Sequence, residues 1–274
     1  MFSKLKKSIY ALLVFYLTVL AFFFLFQRNI EYSPRGKVYE ISNYDLPGFR
    51  KQSLIAADGA QILGWYNSPS SIGQKIILHF HGKGGNLADR AHKLRSFAQN
   101  GFGVLAITYR GFPGSSEEQP TENGFLLDAN AALKFLFDLG YKPTDIIFFG
   151  ESLGSGVALE LASTLEKTAQ PFAIILESPF SSVTSVAQKK YPFLPVSLIL
   201  HDTFDSISFV KKVYAPILIF HGTSDNIVPY EEGQKLFAAI NSQKKFITVQ
   251  NAGHLNFGDD FLIIEMSKFF NEIK

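Results

Sequence analysis

A hydroxyl at Ser152, a carboxylate at Asp225 and an imidazole at His254 are the residue types that together open an acyl bond. Ser152 stands in Gly150-Glu151-Ser152-Leu153-Gly154, directly after the apolar run Asp145–Phe149 and directly before a helical pattern through Val157, Ala158, Leu161 and Ala162. A nucleophile on so sharp a strand-to-helix turn occupies strained backbone angles, and small neighbours let adjacent chain come close. The helix start behind it adds partial positive charge and free N–H groups. His254, in Asn251-Ala252-Gly253-His254-Leu255-Asn256, follows the last apolar run and is free to point into a cleft as a base. Asp225, after the run Pro216–Phe220, can orient that base; Glu177, at the end of another apolar run, is the alternative acid. Charge that develops on a substrate carbonyl needs donors. The turn His81-Gly82-Lys83-Gly84-Gly85-Asn86 can aim the backbone N–H of Lys83 at it, paired with the N–H of Leu153.

Other polar motifs carry less. His81 and His221 each precede a glycine and are expected to organise loops, as are Tyr109 and Arg110. His79 falls inside a strand, and His92 is expected at the surface. His201-Asp202 lacks the convergent ligands of a metal site. Gly82–Gly85 lacks the spacing and the Lys-Ser/Thr ending of a P-loop, and Gly101-Phe102-Gly103 precedes a strand instead of following one. With no cysteine, thiol nucleophiles, thiolate zinc sites and iron–sulfur clusters are excluded. The chemistry needs no metal and no organic cofactor.

These residues need a scaffold that brings distant loops to one edge. Eight strands are predicted: Ser53–Ala57, Ile62–Tyr66, Lys75–Phe80, Gly103–Thr108, Asp145–Phe149, Phe172–Glu177, Pro216–Phe220 and Phe246–Val249. Asp58-Gly59 makes the first two a hairpin. The later ones are short and apolar throughout, as in a parallel sheet buried on both faces. Helices are predicted at Leu87–Asn100, Asn123–Leu139, Leu153–Glu166, Tyr230–Ile240 and Phe261–Ile273. The alternation implies an α/β fold, a mostly parallel sheet flanked by helices. Residues 178–212 break the rhythm with Tyr191-Pro192-Phe193-Leu194-Pro195 and read as a short cap insertion or an ordinary helix pair and loop.

The N-terminus is of another kind. Ile9 to Phe26 runs without a charge, and as a helix it rises roughly 27 Å, near a ~30 Å hydrocarbon core. It reads as a transmembrane anchor; the rival is a cleaved signal, disfavoured by the bulky Phe22-Phe23-Phe24-Leu25-Phe26. The expected division is 1–8 as a cytoplasmic N-terminus, 9–26 as the anchor, 27–48 as a tether and entry segment, and 49–274 as one catalytic domain. Lys4, Lys6 and Lys7 favour a cytoplasmic N-terminus with the bulk of the chain on the other side, although Arg28, Arg35 and Lys37 oppose them.

The whole chain has 274 residues, 47% of them apolar, enough for a large core. Its net charge is +2, but residues 1–37 hold six bases and one acid, so the remainder is mildly acidic. That argues against a nucleic-acid partner. Phe supplies 28 residues, so core and pocket are expected to be aromatic.

The stretches His79-Phe80-His81-Gly82, Tyr109-Arg110-Gly111-Phe112-Pro113-Gly114-Ser115, Gly150 to Gly156, His221-Gly222-Thr223-Ser224-Asp225 and Gly253-His254 resemble the alpha/beta-hydrolase superfamily, in particular its small membrane-anchored group, kin of the bud-emergence hydrolases and protein depalmitoylases. Phe26-Gln27-Arg28 and Tyr32-Ser33-Pro34 are similar to that group's membrane-exit segment. The resemblance covers nearly all of the chain after the anchor. It implies the alpha/beta-hydrolase fold and a serine hydrolase acting on a small-molecule or acylated-protein ester or thioester, with Ser152, Asp225 and His254 as its triad. Lys83 departs from the uncharged residue common in such relatives; its ammonium either meets an acidic substrate group or points to solvent. A serine peptidase on the same fold and a non-catalytic binding protein are the alternatives, and the oligomeric state stays open.

Overall fold

The computed structural model describes residues 2–71 and 73–273; Met1, Ile72 and Lys274, which fall in the expected segments 1–8 and 49–274, lie outside them. The chain opens with helix α1 (Phe2–Glu31), followed by the short strand β1 (Ser33–Pro34). Strands β2 (Arg50–Ile55) and β3 (Gln61–Asn67) form the expected hairpin, with Leu54 opposite Ile62 and Gly59 supplying the positive φ of +95° at the turn. Then come β4 (Ile76–Phe80), β5 (Gly84–Gly85), α2 (Ala91–Gln99), β6 (Gly103–Ile107), α3 (Glu122–Asp138), β7 (Ile146–Glu151), α4 (Leu153–Thr164) and β8 (Ala173–Glu177). The cap region holds α5 (Val183–Lys190), α6 (Val196–Ile199) and α7 (Ser206–Val210). The chain closes with β9 (Ile217–Gly222), α8 (Tyr230–Ala239), β10 (Lys244–Val249) and α9 (Asp259–Glu272).

All eight predicted strands form, with ends within three residues of those expected, in the order β10-β9-β8-β7-β4-β6-β3-β2. β2–β3 and β3–β6 are antiparallel and the other neighbours parallel. Every residue of β4, β6, β7, β8 and β9 is buried, which explains the uninterrupted apolar runs. Alternate side chains feed two cores. Leu78, Phe148, Leu176 and Ile219 pack toward α3, α4 and α8. Ile77, Phe149, Ile175 and Phe220 pack toward α2 and α9.

Three expectations change. The segment 27–48, expected as a tether and entry segment, begins in helix: α1 continues to Glu31, Tyr32 is buried against Phe125, and β1 pairs in parallel with β5. The reason is long-range: Gln27 bonds the carbonyl of Ile199 and the amide of His201, and Arg28 pairs with Asp202 at 2.8 Å. The segment predicted as one helix from Leu87 starts as a 3-10 turn, Leu87–Arg90, capped by Asn86. Residues 178–212 are not a plain helix pair; they carry three short helices, and part of them lies along α1. α1 is long and apolar enough to cross a membrane, and the window that qualifies it is exposed.

Candidate active site

Parallel strands deliver their following loops to one edge of the sheet, and the candidate residues gather there. β7 ends at Glu151 and α4 starts at Leu153, so Ser152 makes the whole turn alone, at φ 50° and ψ −116°. A residue with a β-carbon is strained there. The surrounding glycines permit it. A β-carbon on Gly150 would come within 2.5 Å of the Gly154 carbonyl oxygen, and one on Gly154 within 2.1 Å of the Phe80 carbonyl oxygen. The Ser152 amide donates to the Glu177 carbonyl at 2.9 Å, and its carbonyl accepts from the Ser155 hydroxyl at 2.6 Å.

Asp225 lies in the loop after β9. Its Oδ1 accepts from the amides of Ile227 and Val228, both at 2.9 Å. Its Oδ2 accepts from His254 Nδ1 at 2.8 Å. Burial by itself would raise the Asp225 carboxyl, but the bond and charge of His254 with the two amides outweigh it and hold it below the usual carboxylate range. An ionised Asp225 on Nδ1 leaves Nε2 of the neutral imidazole to accept a proton. The turn that carries His254 is tied to the Asp225 loop by the Ser224 amide on the Ala252 carbonyl at 2.9 Å. Asn251 and Leu255 take φ of 57° and 59° on either side of His254. The carboxylate–imidazole half of the arrangement is therefore assembled. The Ser152 hydroxyl has no hydrogen-bond partner among the described residues.

Glu177 does not serve as the acid for His254. Its carboxylate is bound by Lys93 Nζ, which also donates to Glu151 at 2.7 Å. Glu151 further accepts from His79 Nε2 and Arg90 Nε, both at 3.0 Å. Glu151, Glu177, Lys93 and His79 are buried, directly beneath the serine. Sequence reasoning missed Lys93 and Arg90. The available signal was Glu151 itself, an acid at the end of an apolar strand that must find a cation.

His81 and His221 organise loops, as expected. His81 Nδ1 donates to the Gly82 carbonyl at 2.6 Å, and burial with the nearby Arg90 charge pushes its imidazole down to about 3, so it is neutral. His221 Nε2 donates to Val228 at 3.0 Å. Arg110 joins Asp58, Glu118 and Asp128, which ties the β2–β3 hairpin to α3. His92 is at the surface beside Asp259.

In front of Ser152 lies a cavity of about 430 Å³, within the range of ligand pockets. Phe180, Val186, Leu194 and Val196 give it an apolar lining, and Phe23 and Ile30 of α1 form part of its wall. Lys83 and Leu153 also line it. A β-carbon on Gly82 would come within 3.3 Å of the Ser152 β-carbon, so the Lys83 turn abuts the serine. The Leu153 amide heads α4, where no intrahelical carbonyl is available. The Lys83 ammonium is at the cavity as well as in solvent; partial burial and Lys190 lower its pKa.

The family described as serine aminopeptidase, S33, matches residues 73–207. An uncharacterized protein of Mycobacterium tuberculosis is 34% identical over 238 residues, covering 86% of this chain and 83% of that protein. Human protein ABHD12B is 36% identical over 191 residues, 63% of this chain and 52% of its own. Among solved structures, a Pyrococcus furiosus esterase superposes with a TM-score of 0.68 at 17% identity, covering 89% of this chain and 95% of that one.

Proposed function

The chain belongs to the alpha/beta-hydrolase superfamily, and from that premise we propose that it is a membrane-anchored serine hydrolase of carboxylic esters or thioesters. The observation that carries this reading is the strained Ser152 at the head of α4, facing an apolar cavity, with an Asp225–His254 hydrogen bond on the neighbouring loops. Ser152 Oγ attacks the substrate carbonyl as His254 Nε2 takes its proton. Asp225 holds the imidazole by Nδ1 and stabilises its charged form. The amides of Lys83 and Leu153 receive the oxyanion. The imidazolium gives its proton to the departing alcohol or thiol, and water, deprotonated by the same imidazole, releases the acid. Catalytic hydrogen bonds that are open in a free site tighten in the substrate complex, and the Ser152–His254 bond belongs to that complex in this reading.

The test is labelling by a fluorophosphonate probe, compared with Ser152→Ala. Labelling of the parent and none of the variant is expected; no Ser152-dependent labelling favours a non-catalytic binding protein. Hydrolysis of p-nitrophenyl esters is expected to rise with acyl length, because the cavity wall is apolar.

A peptidase is the second reading. The matching family carries an aminopeptidase description. Glu31, the only acid among the described lining residues, has no hydrogen-bond partner for either carboxyl oxygen; burial raises its carboxyl to about 9, so the free site holds it neutral and an arriving ammonium would ionise it. Cleavage of amino-acid p-nitroanilides, lost in Glu31→Gln, is the result that would favour it.

A further inference from the structure

The cap is laid against the midpoint of the apolar helix. The Tyr16 hydroxyl donates to the Phe193 carbonyl at 3.0 Å. The Phe23 ring lies 5.1 Å from Tyr191, the Phe24 ring 4.8 Å from His201, and Gln27 bonds Ile199 and His201. Cap residues thus follow α1 from Gln27 back to Tyr16. Residues 9–26 need their full length of about 27 Å to cross a ~30 Å core. If the cap held 16–26 out of lipid, seven residues would remain, roughly 10 Å, and no span would be possible. A crossing α1 therefore takes the cap segment into the bilayer with it. Tyr16 precedes Arg28 by twelve residues, roughly 18 Å of helix, which is about one leaflet.

The segment has the chemistry for that position. From Tyr191 to Leu200 there is no charged side chain. Phe193 is 57% exposed and Leu198 83%, and Phe22, Leu25 and Phe26 of α1 are exposed as well. Charges begin again at both ends: Lys189 and Lys190 before it, Asp202 paired with Arg28 after it. Hydrocarbon offers no partner to a bare peptide group, and many of this loop's groups are already paired or missing. Pro192 and Pro195 have no N–H. The amides of Leu194, Leu198 and Leu200 reach Tyr191, Pro195 and Val196. Gln188 serves both the Leu194 carbonyl and the Val196 amide. α1 itself serves the carbonyls of Phe193 and Ile199 through Tyr16 and Gln27.

Given that α1 spans a membrane, which is the anchored reading above, we infer that residues 191–200 form a second, re-entrant membrane-embedded segment, and that the cavity is loaded sideways from the leaflet by an acyl ester resident there. The route follows from the walls. Phe23 and Ile30 of α1 and Leu194, Val196 and Ile199 of the cap wall one cavity, so both elements that the inference places in lipid border it.

The native chain has no cysteine, which gives clean single-site probes. Leu198→Cys, Leu13→Cys and Ile264→Cys, each labelled with an NBD fluorophore in the full chain in phosphatidylcholine vesicles, are challenged with doxyl-labelled lipids. Quenching at 198 and 13, with none at 264, is expected. Quenching at 13 without quenching at 198 overturns the inference and leaves the anchor standing. No quenching at 13 overturns the anchor and the inference together. Leu198→Asp, outside the cavity, is expected to slow hydrolysis of a long-chain ester held in vesicles about tenfold, with p-nitrophenyl acetate hydrolysis unchanged; equal rates on both substrates, or equal loss, overturns the leaflet route.

Discussion

The register that pairs Glu151 with Glu177 sets two acids side by side under the candidate nucleophile, and Lys93 is the cation that joins them. Removing one partner of such a buried cluster leaves uncompensated charge, and the loss is typically about 3–5 kcal/mol. Lys93→Met is therefore expected to lower the midpoint of denaturant unfolding sharply and to weaken fluorophosphonate labelling. Glu151 keeps Arg90, so adding Glu177→Gln, which removes the carboxylate left without a cation, should recover part of the stability. Ser152, Asp225 and His254 stood out as candidates because each stands in a Gly-containing turn just after an apolar run. Lys93 did not. In the sequence it is a lone lysine on the otherwise apolar face of a helix, between Ala91 and Phe97, and only strand pairing creates the charge it answers.

Between elements, the cap is latched to α8 by Glu232. Its buried carboxylate accepts from Ser181 and Ser185 and pairs with Lys189 and Lys235, both at 3.0 Å. Burial by itself would raise this carboxyl, but those hydrogen bonds outweigh it and hold it at about 2, against an ordinary 4.5. A carboxyl depressed in the fold adds stability above its unfolded pKa and loses it as pH falls through the folded one. The latch is thus full above about pH 4.5 and lost toward pH 2. Glu232→Gln is expected to melt lower at neutral pH and to show a flatter decline of melting temperature across that window. The eight strands were readable because apolar runs bounded by turn residues are a local signal. The end of α1 was not. Pro34 and Gly36 mark a nearby break, while Gln27 and Arg28 are held by residues more than 170 positions away. The two-residue ladder of β1 and β5 is hidden for the same reason.

For the whole molecule, the N-terminal flank sets the expected orientation: Lys4, Lys6 and Lys7 precede the apolar run, against Arg28, Arg35 and Lys37 after it. Positive flanks are retained on the cytoplasmic side. A C-terminal alkaline phosphatase fusion is expected to be active and a C-terminal green fluorescent protein fusion dark; the reverse pattern would invert the orientation. The missing slack between α1 and the sheet has a final consequence. A loose 22-residue leash over positions 27–48 would let the mouth of the site wander roughly 25 Å from its post. Here α1 runs unbroken into Tyr32, and Tyr32 is locked in the core. On the anchored reading the mouth is kept at one height and one heading, so a bulky protein bearing an acyl group must offer it at that altitude, whereas a lipid diffusing in the plane arrives there unaided.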